Sequence, residues 1–141
     1  MIWNLPASTP RALAASLLLS GALVGTAFAQ TPLSATLSGP GNGNGMASVT
    51  LDPDASTVCY DLTVTLDPPA TQAHIHRGEA GTNGPIVVPF ESPASGSSSG
   101  CVEGVDAALI SDIMANPAGF YVNVHNSAFP GGAIRGQLEA Q

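Results

Sequence analysis

Polar and apolar residues alternate along much of this chain, and glycine and proline cut the alternation at short intervals. The clearest run is 57–66, where Val58, Tyr60, Leu62, Val64 and Leu66 occupy every second position. Side chains of a strand point to opposite faces in turn, so this period of two predicts a strand with one buried face. Runs of the same kind at 33–37 and 47–51 predict two more, separated by consecutive turn formers from Ser38 to Gly45. Asp52-Pro53-Asp54-Ala55 is turn chemistry and makes a hairpin of the second and third strands. After Asp67-Pro68-Pro69-Ala70 come a strand at 72–77, a glycine-rich loop at 78–84 and a strand at 85–90. The serine-rich stretch 91–100 reads as a mobile connection. Residues 105–116 space Ala107, Leu109, Ile110, Ile113 and Met114 at helical intervals and stop at Asn116-Pro117, which predicts one short helix. Strands at 119–125 and 133–139, joined by a loop at 126–132, close the chain. Many short strands between Gly and Pro turns indicate an all-β fold, and the expectation is a Greek-key antiparallel β-sandwich with one short helix.

The first residues break this pattern. Arg11 precedes an apolar run from Ala12 to Gly25, and Ala27-Phe28-Ala29 has the small-x-small form that signal peptidase cleaves. Residues 1–29 are therefore expected to be an export signal, leaving 30–141 as a single domain. The apolar run is shorter than the roughly 20 residues of a bilayer span, so stable membrane insertion is not expected after cleavage. The destination is periplasmic or extracellular. Beyond the signal, Arg77 and Arg135 are the basic residues, set against ten acidic ones, and the whole chain carries a formal charge of -7. Such a surface repels phosphate backbones, which argues against nucleic-acid partners. Cys59 and Cys101 are the two cysteines, and in an oxidising compartment they are expected to form a disulfide.

The candidate chemistry lies in three histidines, each in strand-like sequence beside a glycine-rich loop. His74 and His76 are two positions apart on one strand, so they share a face. If the strand carrying His125 lies beside theirs, three imidazoles converge on one point, a donor set that suits copper, zinc or iron. Asn123, on the face of His125, and Glu79 or Asn83, in the loop after His76, are expected to orient the rings by hydrogen bonding. Other chemistries find less support. The serines cluster at 92–99 with no rigid base beside them. Asp52 and Asp54 sit in a turn and lack the spacing of a calcium loop. Neither Gly-rich run leads into a helix N-terminus that would cradle phosphate.

Two segments carry a family resemblance. His74-Ile75-His76-Arg77-Gly78-Glu79-Ala80-Gly81-Thr82-Asn83-Gly84-Pro85-Ile86-Val87 resembles the first signature of the CHRD domain, named for chordin and also found as a single-domain exported bacterial protein. Residues 121–138, from Tyr121-Val122-Asn123-Val124-His125 to Gly136-Gln137-Leu138, resemble the second. A looser resemblance, to copper-zinc and copper-only superoxide dismutases, rests on the His-x-His strand and the later Val124-His125. It implies copper bound by His74, His76 and His125, with Arg135 similar to the arginine that guides the anion. This chain has no fourth histidine, so the bridging ligand and the zinc subsite have no counterpart. The expected function is extracytoplasmic copper binding, zinc being the competitor, with redox work on superoxide or a related small oxidant. The alternative from another class is a noncatalytic extracellular structural or protein-binding module.

Overall fold

The computed structural model describes residues 20–22 and 29–141. The expected export signal falls almost wholly outside them. Nine strands form among the described residues: β1 (Thr31–Ser38), β2 (Asn44–Asp52), β3 (Thr57–Thr65), β4 (Ala70–Arg77), β5 (Ile86–Phe90), β6 (Ser97–Val102), β7 (Phe120–Asn126), β8 (Ile134–Gln137) and β9 (Glu139–Ala140). One α-helix, α1 (Ala107–Ala115), sits between β6 and β7, followed by a short 3-10 turn at Pro117–Gly119. The expected all-β antiparallel class with one short helix is what the chain adopts. The strands run in the order β5-β4-β7-β8-β1-β2-β3-β6, with β9 pairing β1. This single ladder curls nearly closed. Its two ends are tied where Ser98 Oγ, on β6, donates to the carbonyl of Glu91, just past β5, at 2.8 Å.

Alternation sets which way each strand faces. On β3, Val58, Tyr60, Leu62 and Val64 are buried; Leu33, Ala35 and Leu37 on β1 and Ala47, Val49 and Leu51 on β2 meet them in one core. Leu66 lies just past β3 and packs against that core partly buried. The helix begins where the Asp106 side chain accepts from Ala108 N–H at 2.9 Å, and it turns Ile110 and Ile113 inward. It ends at Asn116, ahead of Pro117, whose ring cannot continue an α-helix.

The serine-rich connection is a correction. Residues 97–102 form β6, paired with β3 from Val58↔Val102 to Thr63↔Ser97. Serine has little intrinsic strand preference, so the sequence read as a loop, yet β3 supplies a full ladder of backbone partners. Two contacts reinforce the pairing. Gly100 leaves room for the Tyr60 phenol, whose oxygen would lie 3.1 Å from a Cβ there. Cys59 and Cys101 stand directly opposite each other and are joined in the expected disulfide.

That bond closes a loop with a sequence separation of 42, which encloses β4 and β5. Restricting such a loop in the unfolded chain is worth about 4 kcal/mol. Cys101 is exposed and Cys59 half-buried, so a double Cys→Ser variant opens no core cavity. It is expected to lose about 2–4 kcal/mol in urea unfolding without changing the native far-UV spectrum. An unchanged urea midpoint would show that the link carries no stability.

Candidate metal centre

β4 and β7 are antiparallel neighbours, and their register builds the site. The pairs run Gln72↔His125, Ala73↔Val124, His74↔Asn123, Ile75↔Val122 and His76↔Tyr121. Ala73, Ile75, Val122 and Val124 point into the core and are fully buried. The opposite face therefore presents His74, His76, Tyr121, Asn123 and His125 together. An outer face of an antiparallel sheet is ordinarily wet. Here it is covered, and all seven residues of β7 are buried. The loops 78–84 and 127–133 lie over it, with the carbonyls of Gly84, Pro130 and Gly131 against His76, His125 and Asn123.

The three rings meet as the sequence predicted. Their centroids are 5.5 Å apart for His74 and His76, 5.1 Å for His74 and His125, and 5.9 Å for His76 and His125. One donor nitrogen from each lies within 4.8 Å of the other two. His76 Nδ1 donates to the Gly84 carbonyl at 2.8 Å, and His125 Nδ1 donates to the Pro130 carbonyl at 2.9 Å. A carbonyl only accepts, so both rings carry their proton on Nδ1 and keep the Nε2 lone pair free. His125 Nε2 faces His74 Nδ1 at 3.2 Å, and His76 Nε2 is buried with no hydrogen-bond partner. Two nitrogens bound tetrahedrally to one ion at roughly 2.0–2.1 Å lie about 3.3 Å apart. The closest pair already has that spacing. The donor set fits a metal ion.

Electrostatics favours the protonation state that ligation needs. Burial pushes the His74 imidazole below its ordinary value, and the neighbouring His125 and His76 push it further. His76 is also lowered, chiefly by burial, with added repulsion from His125 and Arg135; its hydrogen bond to Gly84 works the other way. Neutral rings are the ones that bind metals.

The residues expected to orient the rings are placed differently. Asn123 is buried beneath the loop after β7, where Nδ2 donates to the Gly131 carbonyl at 3.3 Å and Oδ1 has no partner. Asn83 is exposed, and its Oδ1 accepts from Arg135 Nη1 at 3.1 Å. Glu79 is exposed beside a surface hollow lined by Asn116, Ala118 and Gln137. The carbonyls of Gly84 and Pro130 hold the His76 and His125 rings, and every residue type has a carbonyl, so sequence pattern does not mark them. Glycine at 84 was the available signal: a Cβ there would run into the Arg77 carbonyl, so the chain passes too close for a side chain.

Arg135 sits on β8, opposite Asn123. Its partners are the Thr82 carbonyl, Asn83 and the face of Tyr121, whose centroid is 3.5 Å from the guanidinium carbon. Among the described residues the ion pair is Arg77 with Asp112, 3.1 Å apart and about half exposed on both sides, a kind of contact worth little.

A sequence model of the CHRD domain matches residues 24–138. The chain belongs to the CHRD domain family. Both histidine segments of this CHRD domain fall inside the match. No curated protein and no solved structure matches the chain. The likeness to superoxide dismutases accordingly stands on the histidine pattern alone. No helix of the described residues is long and apolar enough to cross a membrane.

The lowered values of His74 and His76 make the metal-free CHRD domain sensitive to acid. As pH falls through about 6.5, the unfolded chain takes up protons that the folded rings refuse, so folding stability declines. The urea midpoint is expected to drop between about pH 7.5 and pH 5.5, and to drop less in a His74→Asn, His76→Asn double variant. Parallel pH profiles for the two proteins would contradict this account.

Proposed function

We propose that this CHRD domain works outside the cytoplasm as a copper-binding protein, holding one ion through His74, His76 and His125. The observation that carries the reading is the buried, partnerless Nε2 of His76 within 4.8 Å of the donor nitrogens of two further imidazoles. A buried nitrogen without a partner costs roughly 1–3 kcal/mol, and a coordinated ion would remove that cost. Copper ranks above other divalent first-row ions for nitrogen donors, and zinc competes for the same three rings. The disulfide and the signal-like N-terminus support a place outside the cytoplasm. Copper held there would supply one-electron chemistry toward superoxide or a related small oxidant. The three rings fix its position, and the loops over the covered face limit access to small molecules. Arg135 adds positive charge beside His76 in an otherwise acidic protein, which favours approach of an anion.

Elemental analysis and competition titration test the binding claim. One copper ion per chain is expected. Replacing His74, His76 or His125 singly with alanine should weaken binding by more than the roughly 10–100-fold that loss of an outer hydrogen-bond partner costs. Acid should release the ion as the rings protonate. A chain that takes up neither copper nor zinc would leave the noncatalytic module in its place. Copper uptake without any loss of superoxide under pulse radiolysis would confine the role to binding.

A further inference from the structure

We propose that Arg135 is a positioning residue, a clamp that fixes the loop 78–84 and through it sets the tautomer and aim of His76. The inference rests on the metal reading for its effect on affinity, and on the metal-free geometry for everything else.

Three strands contribute one column of planar groups. Tyr121 on β7 stands opposite His76 on β4, and β8 flanks β7 on its other side. The rings of His76 and Tyr121 are stacked at 5.0 Å with planes 12° apart. The Arg135 guanidinium carbon lies 3.5 Å from the Tyr121 centroid. Stacking orients the guanidinium, and its two terminal nitrogens then reach consecutive residues of the loop. Nη2 donates to the Thr82 carbonyl at 3.0 Å, and Nη1 donates to Asn83 Oδ1 at 3.1 Å. The next residue, Gly84, is fastened from the same column: its N–H donates to the Tyr121 hydroxyl at 3.1 Å. Its carbonyl then takes the Nδ1 proton of His76 at 2.8 Å. Residues 82, 83 and 84 are thus pinned in succession, and the last of these contacts leaves His76 Nε2 as the free donor.

Lysine cannot replace this arrangement, because an ammonium is a point charge with neither the planar face nor the rigid fork. The sign of the effect on metal affinity separates a clamp from a charge. A cation beside a cation site repels the bound ion, so if Arg135 acted by charge alone its removal would raise affinity for a divalent metal. Loss of a clamp lowers it.

The test uses the whole exported chain in two states. In metal-free protein, long-range proton-nitrogen NMR of the His76 ring should show the Nδ1-protonated form predominating in wild type. Arg135→Ala should bring the Nε2-protonated form up to a comparable share. Zinc, which is redox-silent, serves as the affinity probe: Arg135→Ala should weaken it about tenfold. Arg135→Lys should recover little of either property. Asn83→Ala, an exposed change that removes one prong of the fork, should move both readouts the same way by less. It keeps the test alive if Arg135→Ala fails to fold. An unchanged His76 tautomer, or zinc affinity that holds or rises in the variants, overturns the clamp. Wild-type protein that binds no metal overturns the metal reading instead, and the tautomer measurement still decides the clamp.

Discussion

The pairing register of β4 with β7 is the constraint on which the rest depends. Gln72 stands opposite His125, so His74 is its diagonal neighbour and His76 lies one pleat further along. The same register sends Ala73, Ile75, Val122 and Val124 into the core. A slip of one residue would exchange the two faces of one strand, driving polar rings into an apolar interior and bringing apolar side chains out. Packing of the core thereby enforces the geometry of the site. The cis Asp67-Pro68 connection and the irregular start of β4 lie outside the paired stretch that carries the histidines.

Covering the outer face creates the electrostatic problem that the loops then manage. Removing water lowers the values of His74 and His76, and repulsion from neighbouring charged groups lowers them further. Neutral imidazole offers one donor and one acceptor nitrogen. The loop carbonyls of Gly84 and Pro130 use the donors of His76 and His125, and the His125 Nε2 edge faces His74 Nδ1 at 3.2 Å. The acceptor of His76 is left over. Every contact that satisfies the loops concentrates unsatisfied basicity at the centre of the cluster.

Much of this was legible from residue types. The alternation in β1, β2 and β3 follows from burial of one sheet face, and the shared face of His74 and His76 follows from the pleat alone. The pairing of Cys59 with Cys101 needed only two cysteines and the expectation of an oxidising destination. What escaped depends on partners remote in sequence. β6 is a strand because β3 offers it a ladder and Tyr60 needs the space above Gly100, neither of which a run of serines reveals. Arg135, expected to guide an anion, also holds a carbonyl, an amide and an aromatic face. The orienting groups for His76 and His125 are main-chain oxygens, which residue identity does not encode.

The two nitrogens of His76 and His125 therefore do different work, and this bears on why the family signature spans loops as well as strands. A histidine that only filled space on this face would be better replaced by an apolar side chain, since a half-satisfied buried polar group is worse than none. An apolar replacement, however, would strand the Gly84 or Pro130 carbonyl without its donor. Loop and ring depend on each other: the carbonyl fixes the ring, and the ring satisfies the carbonyl. Folding accounts for the Nδ1 edges completely. It gives no use for the buried Nε2 of His76, the edge that an ion held by the three histidines would engage.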